Sequence, residues 1–132
     1  MPIIDKIAWI ELKEGKVLSA RSKGKDRFFL PGGKREAGES DEETLIREIR
    51  EELSVEIDTA SIEWVGEFSD QAYGHAEGIE VVMRCYKATF SGELKESHEI
   101  EEIAWLNSWD TDKISHVDKK IFKFLHERGE LE

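Results

Sequence analysis

Residues 40–53, SDEETLIREIREEL, set Leu45, Ile49 and Leu53 four residues apart. That spacing draws one narrow apolar stripe along a helix. Ser40 with Glu43 three residues later is the reciprocal start signal of such a helix. A helix with a single apolar face must lay it on another layer. The rest of the chain supplies that layer. Residues 7–12 and 16–22 read as paired strands about a turn at Glu14 and Gly15, and residues 27–30 as a short strand stopped by Pro31, Gly32 and Gly33. Residues 62–68 and 79–90 read as strands rich in β-branched and aromatic side chains, and residues 103–106 as a shorter one. A second helix is expected over residues 115–128, capped by Ser115 with Asp118 and ended by Gly129. The expected class is α/β (α+β), a mixed sheet flanked by helices.

The 132 residues suit one domain spanning 1–132, and neither linker nor repeat interrupts them; Pro2 and Pro31 lie outside any candidate linker. With 39% hydrophobic and 37% charged residues, four Trp and six Phe, the chain is too apolar for disorder and too polar for a membrane protein. No apolar leader opens the sequence, and the lone Cys85 can form no internal disulfide, so a cytoplasmic location is expected, with Cys85 a buried, inert thiol.

A net charge of −11 argues against binding duplex nucleic acid through phosphate neutralisation. The charge is also unevenly placed. Residues 16–35 carry a net +6, and residues 36–58 a net −8. Two solvated faces would account for this. So would an acidic metal site beside a basic phosphate clamp, and the spacing within residues 33–55 decides between them.

Glu48, Glu51 and Glu52 lie three and four residues apart and share one helix face, away from the apolar stripe. Three like charges on one face repel unless something compensates them. Hard divalent cations take such oxygen ligands, and Mg²⁺ is usually held by a few carboxylates plus water and substrate phosphate.

The segment GKREAGESDEETLIREIREELSV, Gly33 to Val55, resembles the Nudix box, the signature of the Nudix hydrolases. That box runs Gly, five residues, Glu, seven residues, Arg-Glu, an aliphatic, any residue, Glu-Glu, any residue, Gly and an aliphatic. Here Gly33, Glu39, Arg47, Glu48, Glu51, Glu52 and Val55 fall at the matching places, and Ser54 stands where the family usually has Gly. Phe28-Phe29-Leu30-Pro31-Gly32-Gly33-Lys34 also resembles the usual lead-in. The resemblance covers most of the chain and implies a Nudix-type α/β/α sandwich.

It also implies roles. Glu48, Glu51 and Glu52 would bind divalent metal, with the Gly32 carbonyl as a further ligand. Glu39 and Arg47 would orient loop and helix through an ion pair, with Gly33 permitting the bend. Glu99, six residues before Trp105, would be an extra ligand or the general base, with Glu48 the alternative base. The cofactor would be Mg²⁺, with Mn²⁺ able to substitute. Ser54, just past the helix end, would hold a left-handed conformation at a cost on the order of 1 kcal/mol.

The implied reaction is hydrolysis of a diphosphate linkage in a nucleoside di- or triphosphate or a related nucleoside diphosphate-linked compound, with nucleotide-pool housecleaning as a family role. Arg21, Lys23, Arg27 and Lys34 are candidate phosphate contacts. Phe28, Phe29 and Tyr73, with Phe68, are candidate base-stacking residues. The expected partner is a small phosphorylated substrate, with neither duplex nucleic acid nor membrane, and the strand over 79–90 is a candidate homodimer contact. The competing reading is a Nudix-fold nucleotide-sensing module without hydrolysis; such modules typically lose box glutamates, and here all are present.

Overall fold

The computed structural model describes residues 3–132; Pro2 lies outside them. Its elements in chain order are β1 (Ile3–Trp9), β2 (Leu12–Lys13), β3 (Lys16–Ser22), β4 (Gly32–Lys34), α1 (Asp41–Leu53), β5 (Glu56–Ile57), β6 (Glu63–Gln71), β7 (Glu80–Lys87), β8 (Phe90–Ser91), β9 (Ile100–Leu106) and α2 (His116–Glu127). The main sheet runs β4-β1-β7-β6, with β1 and β7 parallel and the other neighbours antiparallel. A second sheet runs β2-β3-β9, and β5 pairs with β8.

Alternation along β1 divides the interior in two. Ile7 and Trp9 join Leu45, Ile49 and Leu53 of α1 on one side, while Ala8 and Ile10 join Val117, Ile121 and Leu125 of α2 on the other. Both faces of the central strands are therefore buried, which gives the sandwich of helix, mixed sheet and helix.

The first helix follows the sequence closely. Ser40 Oγ accepts from the Glu43 amide at 3.1 Å, and Glu43 Oε1 accepts from the Ser40 amide at 2.8 Å. Ser54 closes the helix with φ of 63° and ψ of 27°, the left-handed conformation expected there.

Elsewhere the pairing differs from the local reading. The turn at Glu14 and Gly15 exists, but it joins β2 to β3; β1 itself pairs with β4 and β7, and the chain crosses between the sheets at Ile10 and Glu11. Residues 27–30 make only isolated bridges, because the Phe29 amide bonds to Ala20 and the Phe28 amide to Lys113, on different neighbours. The strand expected over 79–90 ends at Lys87, and it lies between β1 and β6, so it offers no open edge to a second copy. Ser115 begins α2 without a side-chain capping bond. Asp118, expected to help cap, is wholly buried, and its Oδ2 accepts from the Leu30 amide at 2.9 Å. No helix among the described residues is long and apolar enough to cross a membrane.

Candidate active site

The site is assembled where β4, at the edge of the main sheet, meets the C-terminal half of α1. Gly32 has φ of 144°, and a β-carbon there would overlap the Ile7 carbonyl oxygen, so only glycine fits. A β-carbon at Gly33 would overlap the Glu48 carboxylate. The Gly32 amide donates to Glu52 Oε1 at 2.9 Å. The two glycines thus bring main chain directly against two glutamates of one helix face.

Arg47 fixes this arrangement. Its Nε donates to Glu39 Oε2 at 2.7 Å and its Nη2 to Glu39 Oε1 at 2.9 Å, a two-pronged pair. Nη1 donates to Glu48 Oε1 at 2.8 Å, and Nη2 also reaches the Lys34 carbonyl at 3.1 Å. One guanidinium therefore joins the loop before α1, the end of β4 and a glutamate facing Gly33. Hydrogen bonds from Arg47 hold the Glu39 carboxyl down at about 2. Glu51 is more loosely placed, 3.5 Å from Arg47 Nη1 and mostly exposed.

Glu52 is in a different state. Burial pushes its carboxyl up to about 7, the Gly32 amide opposes this, and the charge of Glu48 adds to it. Burial also raises Glu48, against the Arg47 guanidinium. Arg47 beside Glu48 and the charge of Lys6 on Glu52 do not outweigh the burial, and a bound cation would supply the remaining positive charge. Among the described residues, no three acidic or imidazole side chains converge as a ready-made cage. An open set of carboxylates suits a hard divalent ion that keeps waters and takes substrate oxygens. The donor chemistry and the side-chain-free cradle at Gly32 and Gly33 fit such an ion.

The loop carrying Glu99 is tied to the end of α1. The Lys95 amide donates to the Leu53 carbonyl and the Ser97 amide to the Glu52 carbonyl, each at 2.9 Å. The Glu99 carbonyl accepts from the Lys23 amide at 3.0 Å, and its side chain is exposed. The loop therefore abuts the helix end that bears Glu52.

Beside the glutamates opens a cavity of about 610 Å³, with Gly32, Gly33 and Glu52 in its wall. Lys34, Phe29 and Tyr73 also line it. The other expected contacts lie elsewhere. Phe28 is buried in the core beside α2, and Phe68 packs edge-to-face on Phe124 at 5.2 Å. Arg21 reaches Glu102 at 3.4 Å, Lys23 is exposed outside the wall, and Arg27 lies 5.3 Å from the Tyr73 ring centre. Cys85 is fully buried with its thiol pushed up by burial. Sequence reasoning missed Lys6, which lines the cavity from β1, and the buried Asp118. A lysine in an apolar strand gave the only signal for the first, and the capping motif masked the second.

A helix with Arg-Glu and Glu-Glu pairs, clamped to a glycine-bearing sheet edge beside a cavity, defines a class of hydrolases that cleave diphosphate linkages. A profile of the NUDIX domain matches residues 5–125, and the chain belongs to that family as a pyrophosphohydrolase. Members of the family generally use divalent metal ions. The solution structure of the Escherichia coli ORF135 protein aligns with a TM-score of 0.74 at 26% identity, covering 97% of this chain and 92% of that one. A mutator MutT protein of Bacillus halodurans aligns with a TM-score of 0.68 at 30% identity, over 91% of this chain and 80% of that one. A UDP-X diphosphatase shares the fold with a TM-score of 0.69 at 18% identity, over 98% of this chain and 64% of that one. Comparison with curated protein sequences returns no match.

Proposed function

We propose that this enzyme hydrolyses the diphosphate linkage of a nucleoside di- or triphosphate, or a related nucleoside diphosphate-linked compound, with Mg²⁺ as cofactor and Mn²⁺ able to replace it. Nucleotide-pool housecleaning in the cytoplasm is the role that fits best. The observation that carries the reading is the placing of Glu52 and Glu48 against Gly32 and Gly33, with Glu52 and both glycines in the wall of the cavity.

Glu48, Glu51, Glu52, Glu99 and the Gly32 carbonyl would hold the metal. When bound, it supplies positive charge for the phosphorus centre and lowers the pKa of water. The chain's own residues do the rest. Glu39 holds Arg47, and Arg47 holds Glu48 in one orientation. The absence of a side chain at Gly33 leaves Glu48 room to face the substrate. Lys34 on the cavity wall supplies positive charge for the outgoing phosphates, and Arg21 near the end of β3, with Lys23 and Arg27 on the loop after it, adds to the field from outside the wall. Phe29 and Tyr73 flank a flat base. Glu99 takes the proton of the attacking water as its oxygen bonds to phosphorus and the bridging oxygen departs, and Glu48 is the alternative. Products are a nucleoside monophosphate and pyrophosphate, or two phosphorylated fragments.

The test is product analysis over a panel of nucleotides and nucleotide conjugates. Release of pyrophosphate or phosphate from one class, with a kcat that falls in Glu99→Gln more than in a Glu101→Gln control, supports the assignment. Folded protein that binds nucleotide but releases nothing would make it a sensor.

A further inference from the structure

One charged group in the cavity is left over by the hydrolytic scheme. Lys6 stands on β1 opposite Met83 of β7, which is itself buried. The same face of β1 carries Ile4 and Ala8, so the ammonium emerges from an apolar strand face. It lies 5.0 Å from the Phe29 ring centre, and among the described residues no side-chain hydrogen bond holds it. Burial lowers its pKa, while the carboxylates of Asp118, Glu52 and Glu48 act the other way and Lys34 acts with the burial.

Behind the cavity wall Asp118 is fully buried; its Oδ2 takes the Leu30 amide, and the hydroxyl of Ser115, itself on the wall, also stabilises its charged form. The position of Lys6 shows which kind of ligand suits it. Its ammonium leaves an apolar strand face and stands against the Phe29 ring, whereas Lys34 lies at the more exposed rim, where phosphates keep their water. A half-buried donor beside a ring suits a neutral acceptor in the plane of a base lying along Phe29.

We propose that Lys6 is the specificity-determining residue of this cavity. Its ammonium donates a hydrogen bond to the O6 or O4 carbonyl oxygen of the substrate's nucleobase, so guanine-, hypoxanthine- and uracil-type bases are selected over adenine, which carries an amino donor at that position. The inference rests on the nucleotide reading above and names the base chemistry that reading leaves open.

The test is calorimetric binding of guanosine, uridine and adenosine 5′-monophosphates to metal-free protein, which requires no turnover. The parent is expected to bind the two keto nucleotides more tightly than the adenosine one. Lys6→Met, an unbranched chain of similar volume, should weaken keto binding by roughly 10- to 100-fold, the range for a hydrogen bond to a charged group, and leave adenosine binding within about two-fold. Lys6→Gln, which keeps an N–H donor, should retain part of the preference, and its melting curve guards against a folding artefact in the first variant. Equal weakening of all three ligands in Lys6→Met would place Lys6 at the phosphates and overturn the inference. So would absence of preference or of binding in the parent. Keto preference in the parent, lost in Lys6→Met, in a protein that hydrolyses nothing would sink the hydrolase reading and leave Lys6 assigned. Hydrolysis without base preference would do the reverse.

Discussion

Gly33 and the Glu48 carboxylate are packed so closely that no β-carbon fits between them. The backbone of Gly33 lies outside the left-handed region, so alanine has no conformational reason to be excluded there. The obstacle is the far end of a flexible side chain. Gly33→Ala should therefore change stability by no more than about 1 kcal/mol, yet push Glu48 aside and lower kcat by roughly 10- to 100-fold. Urea unfolding and steady-state kinetics on the same preparation check this; a stable variant with parental kcat would remove Glu48 from the site.

Arg47 is held by geometry as much as by charge. Lysine cannot reproduce two parallel bonds to Glu39 together with one to Glu48. Arg47→Lys should therefore raise the metal concentration needed for half-maximal activity by about 10-fold or more, with a circular dichroism spectrum like the parent's. Because Glu39 is held at about 2, this pair stays ionised across the working pH range and should leave no inflection in the pH–rate profile.

Ser54 is exposed and occupies the left-handed region at φ of 63°. Glycine removes the Cβ strain but gains freedom in the unfolded chain, so the two effects partly offset. Ser54→Gly should stabilise by about 0.5–1 kcal/mol and raise Tm by roughly 2–5 °C, with kcat unchanged. A lower Tm would contradict the reading of this helix end.

Asp118 gives a pH signature. Burial raises its carboxyl to about 7 from an ordinary 3.8, against the Leu30 amide and the Lys6 charge. The folded form thus holds the proton more tightly than the unfolded chain. The contribution is fully present below the ordinary value and is lost as pH rises through about 7. An asparagine in its place would not titrate and would still accept the Leu30 amide. The stability of Asp118→Asn relative to the parent should therefore improve between pH 4 and pH 8, by up to about 1.4 kcal/mol per pH unit. Glu52 is present in both proteins and cancels in the difference. Urea midpoints at four pH values measure it, and a gap that stays flat would show Asp118 to be ionised throughout.

What the sequence disclosed follows from range. The first helix, its cap and the alignment of Glu48, Glu51 and Glu52 are set by residues three and four apart, so local spacing suffices. The resemblance also implies that Gly33 heads the box and that the Gly32 carbonyl stands beside those glutamates. Partners of β1 were not legible, because its parallel register with β7 joins residues more than seventy apart, whereas the nearby turn suggests a hairpin. Asp118 misled for a related reason. Three residues after Ser115 it fits a helix start, and only the fold shows that the Leu30 amide claims it. Lys6 carried only the weak signal of a charge among apolar residues; its place in the cavity depends on which strand face α2 covers.

The central claim is tested most directly by diphosphate hydrolysis with Mg²⁺, with Mn²⁺ and with a chelator, comparing the parent with Glu52→Gln. Glu52 is chosen because it joins the helix face, the Gly32 amide and the cavity wall. The prediction is metal-dependent release of phosphate or pyrophosphate, abolished by the chelator and reduced by about 100- to 1,000-fold in the variant, the scale on which loss of one key electrostatic group acts in catalysis. Release that survives the chelator, or a Glu52→Gln enzyme as active as the parent, would contradict the account.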